Sequence, residues 1–193
     1  MPSNKDYEFA KFNADYDNNH VVNEKFNRTN YSEFIKYICA LTNVKSYLEL
    51  GVSTGYCHHN ISKIVDKAVG VDIIDNREFK SGDFYQMKTD DFFDKNVDKF
   101  DLIFIDANHD FEYVKKDFEN SLKILNPNGI IILDDTNPVY EYLTSPARCG
   151  DSYKITDYIR QNHYELDIIT LPILCKGMSI INRNTVSRFV LNK

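Results

Sequence analysis

Ser46-Tyr-Leu-Glu-Leu-Gly-Val-Ser-Thr-Gly55, continuing through Tyr56-Cys-His-His-Asn-Ile-Ser-Lys-Ile-Val65 to Ala68-Val-Gly-Val-Asp-Ile73, is the stretch whose reading decides the fold. Ser46–Leu50 reads as a short strand that stops at Gly51, Thr54–Val65 as a helix and Ala68–Ile73 as a second strand. Two strands joined through a helix run parallel, because only a crossover of a dozen or more residues can bring the chain back to the same end.

The same alternation continues outward. Tyr85–Met87 is a short third strand, and Phe100-Asp-Leu-Ile-Phe-Ile105 an apolar fourth that ends at Asp106. Phe111, Val114, Phe118, Leu122 and Leu125 fall on one face of the following helix. Asn126-Pro-Asn-Gly129 then reads as a turn, and Ile130-Ile-Ile-Leu133 as a strand ended by Asp134-Asp135. Leu166–Leu171 and Gly177–Ile181 are two late strands, and their short connection forces them antiparallel. Upstream, Tyr31, Phe34, Ile35, Ile38 and Leu41 keep helical spacing. Near-continuous apolar strands alternating with helices predict an α/β fold with a mostly parallel sheet covered on both faces. The division expected is a polar, Asn-rich arm or lid over residues 1–29 and a single domain over 30–193.

Composition narrows the functional classes. The 193 residues carry 23 basic and 29 acidic side chains, a net charge of −6, which disfavours nucleic-acid binding through general charge attraction. No apolar run approaches the ~18 residues a membrane helix needs, and the polar N-terminus lacks a secretory apolar segment. A cytoplasmic protein is expected. The four cysteines, at 39, 57, 149 and 175, form no CxxC pair and read as free thiols.

In an open α/β sheet, ligands bind beyond the carboxyl ends of the strands. The first such end is Glu49-Leu-Gly51-Val-Ser-Thr-Gly55, where Gly51 permits a tight turn and Ser53, Thr54 and Gly55 lie where a helix opens toward an anionic group. It is neither the dinucleotide GxGxxG nor a P-loop. Asp72, about twenty residues on, can accept hydrogen bonds from both hydroxyls of a ribose. The plainer alternative is that the glycines only tighten a turn and Asp72 caps a loop. At the fourth and fifth strand ends, Asp106, Asp134 and Asp135 would meet and repel one another unless a cation joins them. Oxygen donors point to Mg²⁺ first, with Mn²⁺ or Ca²⁺ as alternatives. Helix capping or loop binding accounts for any one of these carboxylates, less well for all three. His109, on the same edge, suits a general base or else a surface cap. His58 and His59 are adjacent on a helix, face apart and do not read as a metal pair.

Leu48–Gly55, Val69–Ile73 and Phe100–Asp106 resemble successive motifs of class I S-adenosylmethionine-dependent methyltransferases. Ile105–His109, Asn126–Gly129, Ile130–Asp135, Met87–Phe93 and Gly150–Lys154 resemble segments of a small metal-dependent O-methyltransferase branch that contains macrolide-sugar O-methyltransferases. The resemblance spans Tyr31–Arg183 and implies a Rossmann-like, doubly wound sheet of seven strands with an antiparallel C-terminal strand. It implies that Glu49, Gly51, Ser53, Thr54 and Gly55 border the methionine part of S-adenosylmethionine, that Asp72 holds the ribose, and that Thr89 and Asp90 flank the adenine. Asp106, Asp134 and Asp135 would hold Mg²⁺ or Mn²⁺, with Asp134 at a variable position of the family, and His109 would be the base. Ser53 stands where the fuller family motif has a second glycine.

The activity so implied is O-methylation of a hydroxylated small molecule such as a sugar or natural product. A non-catalytic nucleoside-binding or regulatory protein on the same fold is the first rival. A nicotinamide-dependent oxidoreductase is the second, disfavoured by the missing GxGxxG. Self-association into a homo-oligomer is compatible with so small a member.

Overall fold

The computed structural model describes residues 21–172 and 176–183. Helix α1 (Val21–Thr42) leads into β1 (Ser46–Leu50), α2 (Tyr56–Ser62), β2 (Lys67–Asp72), β3 (Asp83–Gln86), α3 (Thr89–Lys95) and β4 (Phe100–Ile105). Then follow α4 (Phe111–Ile124), β5 (Leu125–Asp134), two 3₁₀ turns at Glu141–Thr144 and Ser152–Lys154, α5 (Ile155–Asn162), β6 (Leu166–Leu171) and β7 (Met178–Arg183).

The seven strands form one sheet in the order β3-β2-β1-β4-β5-β7-β6. Contacts through β5 are parallel, while β7 runs antiparallel to both β5 and β6. This is the expected doubly wound, Rossmann-like α/β sheet with the short late connection reversing the chain.

Strand alternation explains why the inner strands are mostly apolar, with Glu49 and Asp101 among the exceptions. Leu48, Leu50, Ile103, Ile105, Ile131 and Leu133 point to one face, where Val114, Phe118, Ile155 and Ile159 of α4 and α5 cover them. Tyr47, Leu102, Phe104 and Ile132 point to the other, against Ile35 and Cys39 of α1 and Ile61 of α2. Both faces are buried, so apolar residues are favoured at both parities. Helix α4 begins where the Asp110 carboxylate accepts the Glu112 N–H at 3.0 Å, and it buries Val114, Phe118 and Ser121 at i, i+4 and i+7.

Several boundaries move. Helix α1 starts at Val21, ten residues before the helical spacing read from Tyr31; residues 1–20 of the expected arm lie outside the described residues. Helix α2 is shorter than Thr54–Val65 because Gly55, its N-cap, is left-handed at φ +80°. Asn126–Gly129 does not separate helix from strand: β5 runs through it. The partners of β5 step from Phe100↔Leu125 to Leu102↔Ile130, so these residues form a bulge. Pro127, lacking an N–H, is suited to such a position. Of the four cysteines, Cys39 and Cys149 are buried, Cys57 is half-buried and all three are free; Cys175 lies outside the described residues. None of the described helices is long and apolar enough to cross a membrane.

Candidate active site

The strand order reverses between β1 and β4, and there the glycine loop meets the loop that begins with Asp106. The Asp106 N–H donates to the Leu50 carbonyl at 2.8 Å. Gly51 has φ +87°, and a Cβ on it would lie 2.0 Å from the Asp106 carbonyl oxygen. Only glycine supplies both the backbone angle and the close approach.

Asp72 ends β2 and turns its carboxylate into this loop. Oδ2 accepts the N–H groups of Val52 and Ser53, both at 2.9 Å, and Oδ1 accepts that of Ile74 at 3.1 Å. The loop-capping alternative is therefore realised, and it sets Asp72 beside Ser53, itself left-handed at φ +49°. Thr54 anchors the next segment, its carbonyl accepting from Glu78 N at 2.9 Å and Phe79 N at 3.2 Å. The Gly55 N–H donates to the Val52 carbonyl at 2.8 Å, so it closes the turn.

Glu49 is 2% exposed. Its Oε2 accepts the Tyr47 hydroxyl at 2.6 Å, and that hydroxyl lies 3.6 Å from Cys57 Sγ. Burial pushes the Glu49 carboxyl up to about 8, the Tyr47 bond works against this, and the Asp106 and Asp72 charges add to it. Glu49 is therefore held protonated at neutral pH. Thr89 opens α3, close enough to hydrogen-bond Asp117 of α4. Asp90 pairs with Lys116 at 2.7 Å, so its carboxylate is engaged on the α4 side.

The acidic strand ends converge, in part as expected. Asp106, His109 and Asp135 offer ligand atoms all within 4.8 Å of one another. His109 Nε2 lies 3.3 Å from Asp135 Oδ2 and 3.8 Å from Asp106 Oδ1. A hydrogen bond from the imidazole to the Arg148 backbone holds the ring on its other edge. Asp134 stands outside this group of three, buried in the β5–β7 ladder opposite Met178. Burial, then the Asp135 charge, holds its carboxyl well above the usual carboxylate range. The structure thus gathers Asp106 and Asp135 with His109 rather than with Asp134.

Asp135 is 1% exposed, left-handed at φ +55°, and neither carboxylate oxygen has a hydrogen-bond partner. A buried carboxylate without hydrogen bonds is costly, even with His109 and Lys176 in ion-pair range. Such a group among further N and O donors fits a bound divalent cation. Asp106 is raised above the ordinary carboxylate value by burial, against the attraction of His109, and further by the Asp135 charge. His109 is raised above the ordinary imidazole value by the neighbouring Asp106 carboxylate, against burial, and further by Asp135.

Residues beyond those read from the sequence complete the site. The Ser152 hydroxyl is shared between the Cys149 carbonyl at 2.7 Å and the Asp135 carbonyl at 2.9 Å, and its N–H donates to the His109 carbonyl at 3.1 Å. Asp151 Oδ1 accepts the Phe111 N–H at 2.7 Å, and the Asp151 N–H also donates to the His109 carbonyl at 3.1 Å. Lys176, from the β6–β7 connection, places Nζ 3.7 Å from Asp135 Oδ1. The Gly150–Lys154 segment stood out only by resemblance, and Lys176 carries no local signal.

A methyltransferase domain family matches residues 18–136, more than half of the chain. No curated protein matches. Among solved structures, the chain is similar to an O-methyltransferase from Bacillus cereus in complex with S-adenosylhomocysteine, at 16% identity over 80% of each chain and a TM-score of 0.64. It is similar to a methyltransferase of Podospora anserina bound to S-adenosylhomocysteine, at 18% identity over 95% of this chain and 98% of that one, TM-score 0.65. It is also similar to an O-methyltransferase from Streptomyces achromogenes in complex with S-adenosylmethionine, at 14% identity over 80% and 79% of the two chains, TM-score 0.58. The chain belongs to the methyltransferase domain family, and its fold is that of the class I S-adenosylmethionine-dependent methyltransferases.

Proposed function

We propose that this protein methylates a hydroxyl oxygen of a small molecule, taking the methyl group from S-adenosylmethionine and using a divalent cation, Mg²⁺ or Mn²⁺. The observation that carries the reading is the buried Asp135 carboxylate without a hydrogen-bond partner, set with Asp106 and His109 directly beside the glycine loop. One similar structure is described as taking part in tomaymycin synthesis, which supports a natural-product-like acceptor.

Glu49, Gly51, Ser53, Thr54 and Gly55 would border the methionine end of the cofactor, with Asp72 toward the ribose and Thr89 and Asp90 toward the adenine. Asp72 has capacity for this, since a carboxylate offers about four lone-pair sites and the loop uses three. Asp106 and Asp135 would hold the cation, with Asp134 beside them. When bound, the cofactor supplies an electrophilic methyl group and the cation supplies Lewis acidity toward the acceptor oxygen.

His109 is the base. Its Nε2 faces the carboxylates, while the Arg148 backbone holds the opposite edge of the ring. In the free protein the two carboxylates favour the imidazolium. Once their charge is engaged, that preference falls away, and a neutral His109 can take the acceptor's proton. Ser152 and Asp151 keep the His109 and Asp135 loops in register, supplying the alignment on which such a transfer depends.

Calorimetric titration of S-adenosylhomocysteine into the protein, with Mg²⁺ and with EDTA, tests the reading. Stoichiometric nucleoside binding, with a separate Mg²⁺ heat that vanishes in Asp135→Ala, is expected. Absence of nucleoside binding in both buffers would overturn it.

A further inference from the structure

Lys176 reaches the candidate cation site from a part of the chain that contributes nothing else to it. The Asn137 N–H donates to the Lys176 carbonyl at 2.7 Å, and the Thr136 N–H donates to the Gly177 carbonyl at 3.2 Å. Gly177, left-handed at φ +82°, lies so close that a Cβ on it would sit 2.3 Å from Asn137 Cβ. The backbone at Lys176 is therefore fixed to the two residues that follow Asp135. Its side chain keeps freedom at the tip: it is 40% exposed, and Nζ stands 3.7 Å from Asp135 Oδ1. That separation is an ion-pair contact, longer than a hydrogen bond. Asp134, Cys149 and Asp106 are its other close ionisable neighbours.

Charge counting gives the arrangement a purpose. Asp106 and Asp135 bring two negative charges, which a divalent cation would cancel and which need another counter-charge in its absence. Among the described residues, the cationic partners of Asp135 are His109 and Lys176. A lysine ammonium is a compact point charge on a flexible stem, able to withdraw without disturbing the backbone. We propose that Lys176 is a positioning residue of this site: its ammonium is the counter-charge that holds the Asp135 carboxylate when no divalent cation is bound, and the two cations compete for that carboxylate. The inference rests on the reading that Asp106 and Asp135 bind a divalent cation.

Mn²⁺ titration followed by electron paramagnetic resonance of the free ion tests it on the full chain, with no acceptor or cofactor required. The wild type is expected to bind one Mn²⁺. Lys176→Gln should bind it on the order of tenfold more tightly, because a repelling unit charge within a few ångströms is gone. Lys176→Arg, which keeps the charge, should return to the wild-type affinity, and Asp135→Asn should lose binding. A merely structural role for Lys176 predicts the opposite sign, since loosening the site weakens the metal. Equal affinity in wild type and Lys176→Gln, or weaker binding in the variant, overturns the role of Lys176 and leaves the cation site standing. Unchanged binding in Asp135→Asn, or no binding in any variant, overturns the cation site itself.

Discussion

His109 Nε2 lies 3.3 Å from Asp135 Oδ2, although the two residues sit on loops that follow different strands. Adjacency of β4 and β5 brings the loops near each other, and Ser152 fixes the distance by bonding to the backbone of both residues. The pair is the centre of the proposed site, and its charge state links stability to pH.

In the metal-free protein, His109 binds its proton more tightly folded than unfolded, chiefly through Asp106 and then against burial and with Asp135. That stabilisation is fully present below the unfolded value near 6.5 and is lost as pH rises through the higher folded value. Urea denaturation of wild type and His109→Ala should therefore differ most at about pH 6 and converge at alkaline pH. Turnover in His109→Ala should fall by about 10²-fold or more with cofactor affinity retained; equal turnover removes it from the mechanism.

Glu49 gives a slope of the same sign, beginning at lower pH. Its carboxyl is raised from 4.5 to about 8, so the folded state keeps a proton that the unfolded chain has lost. Stability is full below the unfolded value, falls as pH rises between the two, and levels off above the folded one. Glu49→Gln mimics the protonated form and keeps an acceptor for Tyr47. It should match wild type near pH 5 and exceed it by on the order of 2–4 kcal/mol at pH 8. Parallel stability curves for the two proteins would contradict a protonated Glu49.

Gly51→Ala forces a side chain into the left-handed region and against the Asp106 carbonyl. The combined strain and overpacking should cost about 2–5 kcal/mol. Nucleoside and metal binding should weaken together, because the same collision displaces the loop and Asp106. Calorimetry showing loss of only one of the two would place the loops farther apart than this structure has them.

Asp72→Asn leaves one acceptor oxygen where the native carboxylate serves three N–H groups. A loss of about 1–3 kcal/mol in stability is expected. S-adenosylhomocysteine affinity should fall by about tenfold or more, if the same carboxylate also receives the ribose. Full affinity in a destabilised variant would confine Asp72 to loop capping.

Ser152→Ala removes the buried hydroxyl that satisfies the Asp135 carbonyl. It should cost about 1–2 kcal/mol in thermal or chemical denaturation. Mn²⁺ affinity should drop as well, and wild-type affinity would show that the Ser152 bond does not govern the site.

Much of this was legible along the chain because local chemistry forces it. Runs such as Leu102–Ile105 and Ile130–Leu133 are apolar at every position, and only a strand covered on both faces needs that. Asp106 and Asp135 fall where apolar strands stop, which put them at one edge of the sheet before any coordinates. The bulge at Asn126–Gly129 was not legible, since a turn-like composition serves a bulge in a continuous strand equally well. The early start of α1 at Val21 was hidden by weak apolar spacing and Asn-rich composition. Asp134 was grouped with its neighbour; only the structure shows that Asp135, left-handed just past the end of β5, is the one beside His109.

The sequence by itself determined the alternation of strands and helices, the glycine turn and the carboxylates at the strand ends, because backbone preference and hydrophobic period are local. Only the tertiary structure decided which of those carboxylates face one another, that Glu49 is buried against Tyr47 and Cys57, and that Ser152 and Lys176 close the site. Those outcomes depend on strand order, burial and contacts between residues far apart in the chain, and no local pattern encodes them.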